Sequence, residues 1–442
     1  MEKIRKQLTS AQIIILGFAA VILIGALLLM LPISTRAHVV TNFFDALFTS
    51  TSAVCVTGLI VQDTATYWSP FGQAIILLLI QIGGMGVITV AVALAAIAGK
   101  RIGLKQRSTM QEAISAHKVG GIVKLTGFII KMTAIFEVLG AVIMSPVFCK
   151  EFGIFKGIWY SIFHSISAFC NAGFDLMGCK EKFSSVTSFV GNPIINLTIM
   201  ALIVTGGIGF LTWEDVIKNK WHIKRYRMQT KIILLTTTLL IFIPAIFFFI
   251  NEYDYLELDE RILASLFQSV SPRTAGFNTV DLTKMSEVGL TLMIMLMVIG
   301  GSPGSTAGGM KTTTFAVMLS TAFSVFTHKE HTHFFGRRVE DSVIRHAITL
   351  LTLYLVFFVN AGFAISLIED LPLLTCLFET ASAIGTVGLS LGITPALTLP
   401  SKLILISLMY FGRVGGLTLI FAAVSTNKAS TAKFPQEKLT VG

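Results

Sequence analysis

The sequence predicts an all-α integral membrane protein made of four covalently linked membrane-pore-membrane repeats around a pseudo-fourfold pore. Three observations lead to this fold class. Of 442 residues, 54% are hydrophobic and only 13% are charged, which is too few to cover a soluble domain of this size. Several apolar runs are long enough to cross a bilayer as helices. A short pattern ending in glycine also recurs four times, at Gly58, Gly173, Gly276 and Gly388.

Eight apolar spans are predicted to cross the membrane, two in each repeat. The first follows Lys3, Arg5 and Lys6 and could be a signal peptide, but its length and the lack of a small-residue cleavage pattern favour a retained helix. The predicted spans are 11–33 and 70–98 in repeat 1 (1–110), 122–148 and 193–217 in repeat 2 (111–225), 230–250 and 288–325 in repeat 3 (226–335), and 343–368 and 400–425 in repeat 4 (336–442).

The basic residues are concentrated in alternate loops. The loops near 100–118, 218–231 and 329–345 and both chain ends are rich in Lys and Arg, whereas residues 252–260 form an acidic loop. This distribution follows the positive-inside rule for membrane proteins. We therefore expect a multi-pass protein of the cell membrane with cytoplasmic termini, including a C-terminal tail in repeat 4. The net charge of +10 then reflects topology rather than nucleic-acid binding.

Residue patterns typical of enzymes and resident metal sites are missing from the sequence. The five cysteines show no CxxC spacing, and the eight histidines include no HExxH motif. The simplest interpretation of the cysteines is that they fill small apolar spaces. We therefore expect no enzymatic activity and no metal or cofactor bound by this chain.

The four recurring patterns, called the glycine segments below, each follow an apolar run that is too short to cross the bilayer. These runs, at 43–52, 155–167, 261–270 and 372–382, are predicted to be re-entrant pore helices. The glycine segments are Val56-Thr57-Gly58, Asn171-Ala172-Gly173, Thr274-Ala275-Gly276 and Thr386-Val387-Gly388.

Irregular backbone at membrane depth must line water or other protein, because lipid offers no hydrogen bonds. Glycine permits the positive φ angles that inward-pointing carbonyl groups require. The last glycine segment, 386–388, also matches the start of the TVGYG filter of potassium channels. We therefore predict that the four segments form one selectivity filter for dehydrated K⁺.

The sixth span is interrupted by a stretch with five glycines and a proline, called the intramembrane loop below. Its residues are Gly300, Gly301, Ser302, Pro303, Gly304, Ser305, Thr306, Ala307, Gly308 and Gly309. Such a stretch cannot remain a regular helix. It could be a plain hinge. A phosphate-binding loop is a poorer interpretation, because Met310 before Lys311 breaks the GxxxxGK[ST] spacing.

Two basic residues, one just after this loop and one in the last span, are candidates to act on the loop. Arg413 falls within the last span, where a charge costs about 2.5–3.5 kcal/mol on insertion scales. It is expected to face the pore or to bind carbonyl groups of the intramembrane loop, although a buried structural ion pair would also explain it. Lys311 could act at the same point or simply extend its amine to the membrane surface.

Other polar residues in the pore-helix regions have smaller expected roles. Arg273 and Glu379 flank the third and fourth glycine segments and are expected to brace them. Asp45 and His164 are expected only to pack or to be solvated.

The chain resembles the Trk/Ktr/HKT superfamily of potassium transporters over essentially its whole length, and the Ktr-type membrane subunits (KtrB/KtrD) most of all. The resemblance runs from Leu-Pro-Ile-Ser at 31–34 to Tyr-Phe-Gly-Arg at 410–413. It is clearest in Pro-Arg-Thr-Ala-Gly-Phe-Asn at 272–278 and in Phe-Glu-Thr at 378–380 with Gly-Thr-Val-Gly-Leu at 385–389. It implies potassium uptake, with the intramembrane loop and Arg413 as the gate. In plant relatives, serine at the position of Gly58 accompanies sodium transport, so Gly58 implies the potassium-selective type.

The resemblance also implies partners. It predicts a homodimer in the lipid bilayer, with one pore in each protomer, and a cytoplasmic RCK-type regulatory ring (KtrA/KtrC) that binds ATP or ADP and opens the gate. K⁺ is then the substrate, and Na⁺ is an optional activator. A sodium-coupled potassium symporter is the alternative function.

Overall fold

The computed structural model describes residues 8–97, 103–113, 121–416 and 418–419, together with Pro435 and Glu437. Several sequence-based predictions fall outside these residues. They concern the charged N-terminus, the basic residues Lys100, Arg101 and Lys118, the end of the span 400–425 and most of the C-terminal tail.

The described residues are mostly helical, and the helices follow in the order that four repeats require. Repeat 1 contains α1 (Ser10–Leu29), α2 (Phe43–Val54), α3 (Pro70–Met85) and α4 (Val87–Ile97), and α5 (Leu104–Ala113) follows. Repeat 2 contains α6 (Ile122–Phe152), α7 (Ile154–Phe169), α8 (Pro193–Gly207) and α9 (Phe210–Asn219). Repeat 3 contains α10 (Met228–Asn251), α11 (Leu258–Val270), α12 (Glu287–Val298) and α13 (Thr312–Phe326). Repeat 4 contains α14 (Asp341–Glu369), α15 (Leu373–Gly385) and α16 (Leu399–Val414). Between repeats 3 and 4, β1 (His333–Phe334) and β2 (Arg337–Arg338) form a small antiparallel hairpin.

The first helix of each repeat is long and apolar enough to cross a bilayer. These helices, α1, α6, α10 and α14, expose apolar side chains such as Leu27 at 60% and Ile246 at 60%. The short helices α2, α7, α11 and α15 instead bury most of their C-terminal residues. The long helices therefore form the lipid-facing layer, and the short helices lie inside it as pore helices.

The second helices of repeats 1 and 2 differ from the sequence-based prediction. Continuous spans were expected over 70–98 and 193–217, but α3 and α4 meet at an angle of 94°, and α8 and α9 meet at 95°. Gly86 and Gly209 lie at these breaks, and Gly415 follows the end of α16, with φ angles of 86°, 91° and 92°. Because a side chain strains the backbone at such angles, glycine permits the break at the same place in three repeats.

A second glycine lies three positions before each of these breaks and brings the helix against the end of a pore helix. A Cβ atom at any of them would lie less than 3.0 Å from a backbone carbonyl oxygen near the pore-helix C-terminus. The glycine and carbonyl pairs are Gly83 with Val54, Gly206 with Phe169, and Gly412 with Ile384. The glycines therefore allow the second helix and the pore helix to approach closely.

Hydrogen bonds or ion pairs connect every neighbouring pair of repeats in a closed cycle. The connections are Trp159 Nε1 to Gln73 Oε1 (3.0 Å), Val186 N to Asn278 O (3.1 Å), Gly309 N to Gly412 O (3.2 Å) and Lys402 Nζ to Asp45 Oδ1 (3.4 Å). The last pair closes the ring between repeats 4 and 1, and it gives Asp45 a structural partner that sequence reasoning did not provide. The exact repeat boundaries stay a prediction, and the one at 110 falls within α5.

We predict that Gly83→Ala destabilises the protein, because the new methyl group would overlap the Val54 carbonyl and force the pore helix to move. Overpacking of this kind costs about 1–3 kcal/mol. Thermal unfolding of the detergent-solubilised protein measures the effect.

Gly127→Ala is the matched control, because Gly127 lies on α6 and a Cβ there would meet no atom within 4 Å. Equal unfolding temperatures for the two variants would contradict this account of the glycine contact.

Candidate ion-conduction site

The four glycine segments have the same backbone conformation. The first residue and the glycine of each segment have positive φ angles, separated by one residue that does not. The angles are 51° and 93° for Val56 and Gly58, 57° and 69° for Asn171 and Gly173, 74° and 81° for Thr274 and Gly276, and 51° and 97° for Thr386 and Gly388. This alternation turns successive carbonyl groups toward the same side of the chain.

Each segment is held by hydrogen bonds back to its own pore helix. The amide of the middle residue donates to a serine carbonyl, and the distances are 2.8 Å for Thr57 to Ser52, 2.8 Å for Ala172 to Ser167, 2.9 Å for Ala275 to Ser271 and 2.8 Å for Val387 to Ser382. The serine hydroxyls bind the segments as well. In repeats 1 and 4 the hydroxyl accepts from the amide of the segment glycine. In repeats 2 and 3 it donates to the carbonyl group of the phenylalanine after that glycine. Because the middle amides donate to these serines, they do not donate to the middle carbonyl groups of neighbouring segments.

These serines hold the glycine segments in place, a structural role that the sequence-based predictions did not include. Three of them, Ser52, Ser167 and Ser382, stand at the start of the repeated pattern, so alignment of the repeats could have identified them. In repeat 3 the aligned residue is Val270, and the structure uses Ser271 instead. That shift could not be read from the alignment.

The four segments lie around one axis, and the glycine of each is packed against the middle carbonyl group of the next. A Cβ atom at the glycine of each segment would lie less than 3.0 Å from the middle carbonyl oxygen of the next segment. The order is Gly58 to Ala172, Gly173 to Ala275, Gly276 to Val387, and Gly388 back to Thr57. Among the described residues, no hydrogen bond is donated to these four oxygens. They therefore form a closed ring of available acceptors, which is the chemistry that replaces the hydration shell of a cation.

An outer cavity of about 240 Å³ opens above this ring and is lined by all four segment glycines. Asp175 and Asp281 also line it and would attract cations. Asp175 lies in the loop after the second segment, outside the spanning helices. The pKa of its carboxyl is raised to about 7, chiefly by burial. The Met177 amide, which donates to this carboxyl, lowers the pKa, and the nearby Asp63 contributes to the rise.

The intramembrane loop lies directly below the ring and is bonded to several repeats. The Ser302 amide donates to Gly207 O at 2.9 Å, and the Thr306 hydroxyl lies 3.1 Å from Asn171 Oδ1 in the second segment. A Cβ atom at Gly308 would overlap the Thr386 side chain of the fourth segment. An inner cavity of about 210 Å³ lies on the other side of the loop. The loop therefore separates the inner cavity from the ring.

Arg413 and Lys311 both bind carbonyl groups of this loop. The Arg413 guanidinium donates to Thr306 O on one side and to Gly83 O and Gly84 O, the latter at 3.0 Å, on the other. Arg413 therefore connects the loop of repeat 3 to α3 of repeat 1. Lys311 Nζ donates to Ala307 O at 2.9 Å and to Gly308 O at 3.2 Å, so it fixes the loop from within. The loop lies between two membrane helices, which is not the strand-to-helix setting of a phosphate-binding loop.

Arg273 and Glu379 both lie beside glycine segments, but the structure does not bring them together. Neither side chain forms an ion pair with any described residue. Arg273 donates to Thr237 Oγ1 at 3.4 Å. The buried Glu379 carboxylate accepts from the hydroxyls of Ser390 and Thr394, which line the outer cavity.

His164 lies at the same position in repeat 2 as Glu379 does in repeat 4, and sequence reasoning gave it no role. Each precedes its segment glycine by nine residues. His164 Nδ1–H donates to Tyr160 O at 2.7 Å, so Nε2 is the acceptor for the Leu176 amide at 3.3 Å. Glu379 accepts from the equivalent amide, that of Leu391. Both side chains therefore hold the chain just after a glycine segment, and this shared spacing was the missed signal.

Comparisons with known proteins agree with this arrangement. The profile of the TrkH family, described as "Cation transport protein", matches residues 5–432. The chain is 42% identical to "Potassium/sodium uptake protein NtpJ" of Enterococcus hirae, over 100% of this chain and 99% of that protein. It is 40% identical to "Ktr system potassium uptake protein B" of Bacillus subtilis, over 98% of this chain and 97% of that protein.

A solved structure shows the same fold. The structure titled "Crystal Structure of the Potassium Transporter TrkH from Vibrio parahaemolyticus" superimposes with a TM-score of 0.74 at 19% sequence identity. The match covers 96% of this chain and 87% of that one. The four-repeat membrane fold predicted from the sequence is therefore confirmed.

We predict that His164→Ala lowers stability and cation discrimination, because the buried Leu176 amide loses its acceptor. An unpaired buried group costs about 1–3 kcal/mol. His164→Gln restores a side-chain acceptor and should recover part of both losses. Thermal unfolding and competition of Na⁺ with ⁸⁶Rb⁺ uptake in liposomes measure the two effects.

His222→Ala is the control for this series, since that imidazole lies in an exposed loop. If His164→Ala and His222→Ala behaved alike in both assays, the proposed brace would be wrong.

Proposed function

This chain belongs to the TrkH family of cation transport proteins, and from that premise we propose that it carries K⁺ into the cell through the four glycine segments. The observation that supports this most strongly is the closed ring of free carbonyl oxygens contributed by Thr57, Ala172, Ala275 and Val387. Carbonyl rings replace the water around a large monovalent cation. The named relatives in potassium uptake support the same substrate.

The proposed path begins in the outer cavity, where Asp175 and Asp281 concentrate cations. K⁺ then loses water to the carbonyl ring, passes the intramembrane loop and enters the inner cavity. The membrane potential supplies about 2.3 kcal/mol per charge for each 100 mV. That corresponds to about 50-fold accumulation, so inward flow needs no chemical step by this chain.

The intramembrane loop is the proposed gate. It crosses below the ring, and Arg413 and Lys311 hold it there by donating to five carbonyl groups, three of the loop and two of α3. Their positive charges also oppose cation passage. Withdrawal of the loop would require the Arg413 contact to Thr306 to break, which makes Arg413 the closing element of the gate.

The proposal extends to partners and topology. The protein forms a homodimer in the cell membrane with both termini in the cytoplasm, and an RCK-type ring that binds ATP or ADP controls the loop. The positive-inside pattern supports the topology, and the similarity to a protein named for a Ktr system supports a multi-component assembly.

Sodium-coupled potassium symport is the second candidate. It is supported by the similarity to a relative whose name includes both potassium and sodium. A reversal potential that follows the K⁺ gradient alone favours the simple pore, and one that also moves with the Na⁺ gradient favours symport.

We predict that the chain rescues growth of a potassium-uptake-deficient bacterium at low external K⁺, together with its regulatory ring, and that Gly58→Ser weakens the rescue. The serine Cβ would lie 2.6 Å from the Ala172 carbonyl oxygen and would occupy a φ of 93°. Displacement of this carbonyl oxygen would distort the ring, and a change of about 1 kcal/mol in the relative binding of K⁺ and Na⁺ corresponds to a loss of about fivefold in K⁺ over Na⁺ discrimination.

Gly153→Ser controls for strain alone, because Gly153 also has a positive φ of 81° but a Cβ there meets nothing within 4 Å. Unchanged discrimination in Gly58→Ser would contradict the carbonyl ring, and failure of the wild-type chain to rescue growth would contradict potassium uptake.

We also predict that Arg413→Ala, or deletion within 302–308, raises flux through the protein without the regulatory ring. Loss of charged hydrogen bonds worth about 1.5–3 kcal/mol each should raise basal flux about tenfold or more. Rb⁺ uptake into liposomes reports this flux.

Arg261→Ala is the matched control, because its guanidinium also donates to backbone carbonyls, Phe249 O at 2.7 Å and Ile250 O at 3.4 Å, but outside the loop. Basal flux that stays at the wild-type level in Arg413→Ala and in the deletion would place the gate elsewhere.

A further inference from the structure

Asn171 is unusual among the side chains at the start of the glycine segments. The equivalent residues are Val56, Thr274 and Thr386. Only Asn171 has a side-chain amide, which offers a separate donor (Nδ2) and acceptor (Oδ1). Asn171 is fully buried. Its Nδ2 group lies 3.4 Å from Thr274 Oγ1 in the third segment and 3.4 Å from Ile203 O. The amide therefore bridges two neighbouring segments at the lower edge of the carbonyl ring.

The other end of the same amide binds the intramembrane loop. The single proton of the Thr306 hydroxyl is shared between two acceptors, Asn171 Oδ1 at 3.1 Å and Phe169 O, the carbonyl at the end of the second pore helix, at 3.0 Å. Among the described residues, no other first-position side chain of a glycine segment is hydrogen-bonded to the loop. The Thr386 hydroxyl, for example, is buried and has no partner there.

Thr306 also carries the contact with Arg413, through its carbonyl oxygen. Its amide donates to Gly206 O at 3.3 Å. A Cβ atom at Gly206 would lie less than 3.0 Å from Phe169 O, Asn171 Oδ1 and Thr306 Oγ1 alike. The glycine therefore makes room for this junction, in which one threonine touches the glycine segment, the pore helix and the arginine.

We infer that the Asn171–Thr306 hydrogen bond couples the position of the loop to ion selectivity, with Asn171 as a specificity-determining residue. With the loop in place, Thr306 fixes the amide, and the amide fixes the Thr274 hydroxyl. When the loop withdraws, this buried amide loses its hydroxyl donor and the constraint on both segments. Loop position and discrimination between K⁺ and Na⁺ are then linked properties, as reciprocal coupling requires. This inference rests on the proposed function.

The test uses the full-length protein in liposomes without the regulatory ring, and it measures flux and the K⁺ to Na⁺ permeability ratio from reversal potentials. Thr306→Val should raise flux and lower the ratio about fivefold or more, the lower bound for site-to-site coupling. Thr306→Ser keeps the hydroxyl and should keep the wild-type ratio. Asn171→Thr, which installs the residue used at 274 and 386, should also lower the ratio.

The double variant Asn171→Thr/Thr306→Val should lower the ratio by less than the product of the two single effects, because the two changes share the Asn171–Thr306 interaction. Thr205→Val is the matched control. Its hydroxyl lies next to the same junction but, among the described residues, bonds only its own helix, at Leu202 O (2.9 Å), so this variant should keep the wild-type ratio.

A Thr306→Val protein with raised flux and an unchanged permeability ratio would overturn the coupling. So would a double variant whose loss of ratio equals the product of the two single losses, because the two residues would then act independently. Failure of the proposed function looks different, because the wild-type protein itself would then show no preference for K⁺.

Discussion

The structure depends on one constraint, which is that irregular backbone inside a membrane must find partners within the protein. Here the amides of the glycine segments turn back to serines on their own pore helices, and the carbonyls turn toward a common axis. Four such segments satisfy the constraint together, because each glycine allows close approach to the carbonyl of the next, from Gly58 around to Gly388 and back. The pore helices, the broken second helices and the inter-repeat contacts all serve to hold this ring closed.

The same constraint explains the intramembrane loop. Ten residues without regular structure lie below the ring. Several of their polar groups are hydrogen-bonded to neighbouring backbone, to Arg413 and, through the Thr306 hydroxyl, to Asn171. A charge at this depth is tolerated because three carbonyl groups from two repeats accept its hydrogen bonds. In the proposed function, a loop held by a few replaceable contacts is a suitable gate, since opening exchanges only a limited number of hydrogen bonds.

Much of this arrangement follows from the sequence, because hydropathy, charge and a fourfold pattern are one-dimensional signals. The pore helices were placed within a few residues, for example 43–52 against Phe43–Val54. The bends at Gly86 and Gly209 were missed, since a glycine in an apolar run predicts close packing as readily as a break. His164, Asp45 and Thr306 were missed as contacts because their partners, Leu176, Lys402 and Asn171, are brought near only by folding.

The most direct test of the ring is the position of a heavy potassium analogue in crystals of the protein. Anomalous scattering from Rb⁺ or Tl⁺ should give density on the axis between the carbonyl oxygens of Thr57, Ala172, Ala275 and Val387, and the density should fall when K⁺ is added in excess. Ordered Rb⁺ or Tl⁺ sites found only away from this axis would contradict the account, because the four segments would then not act as one ligand for the ion.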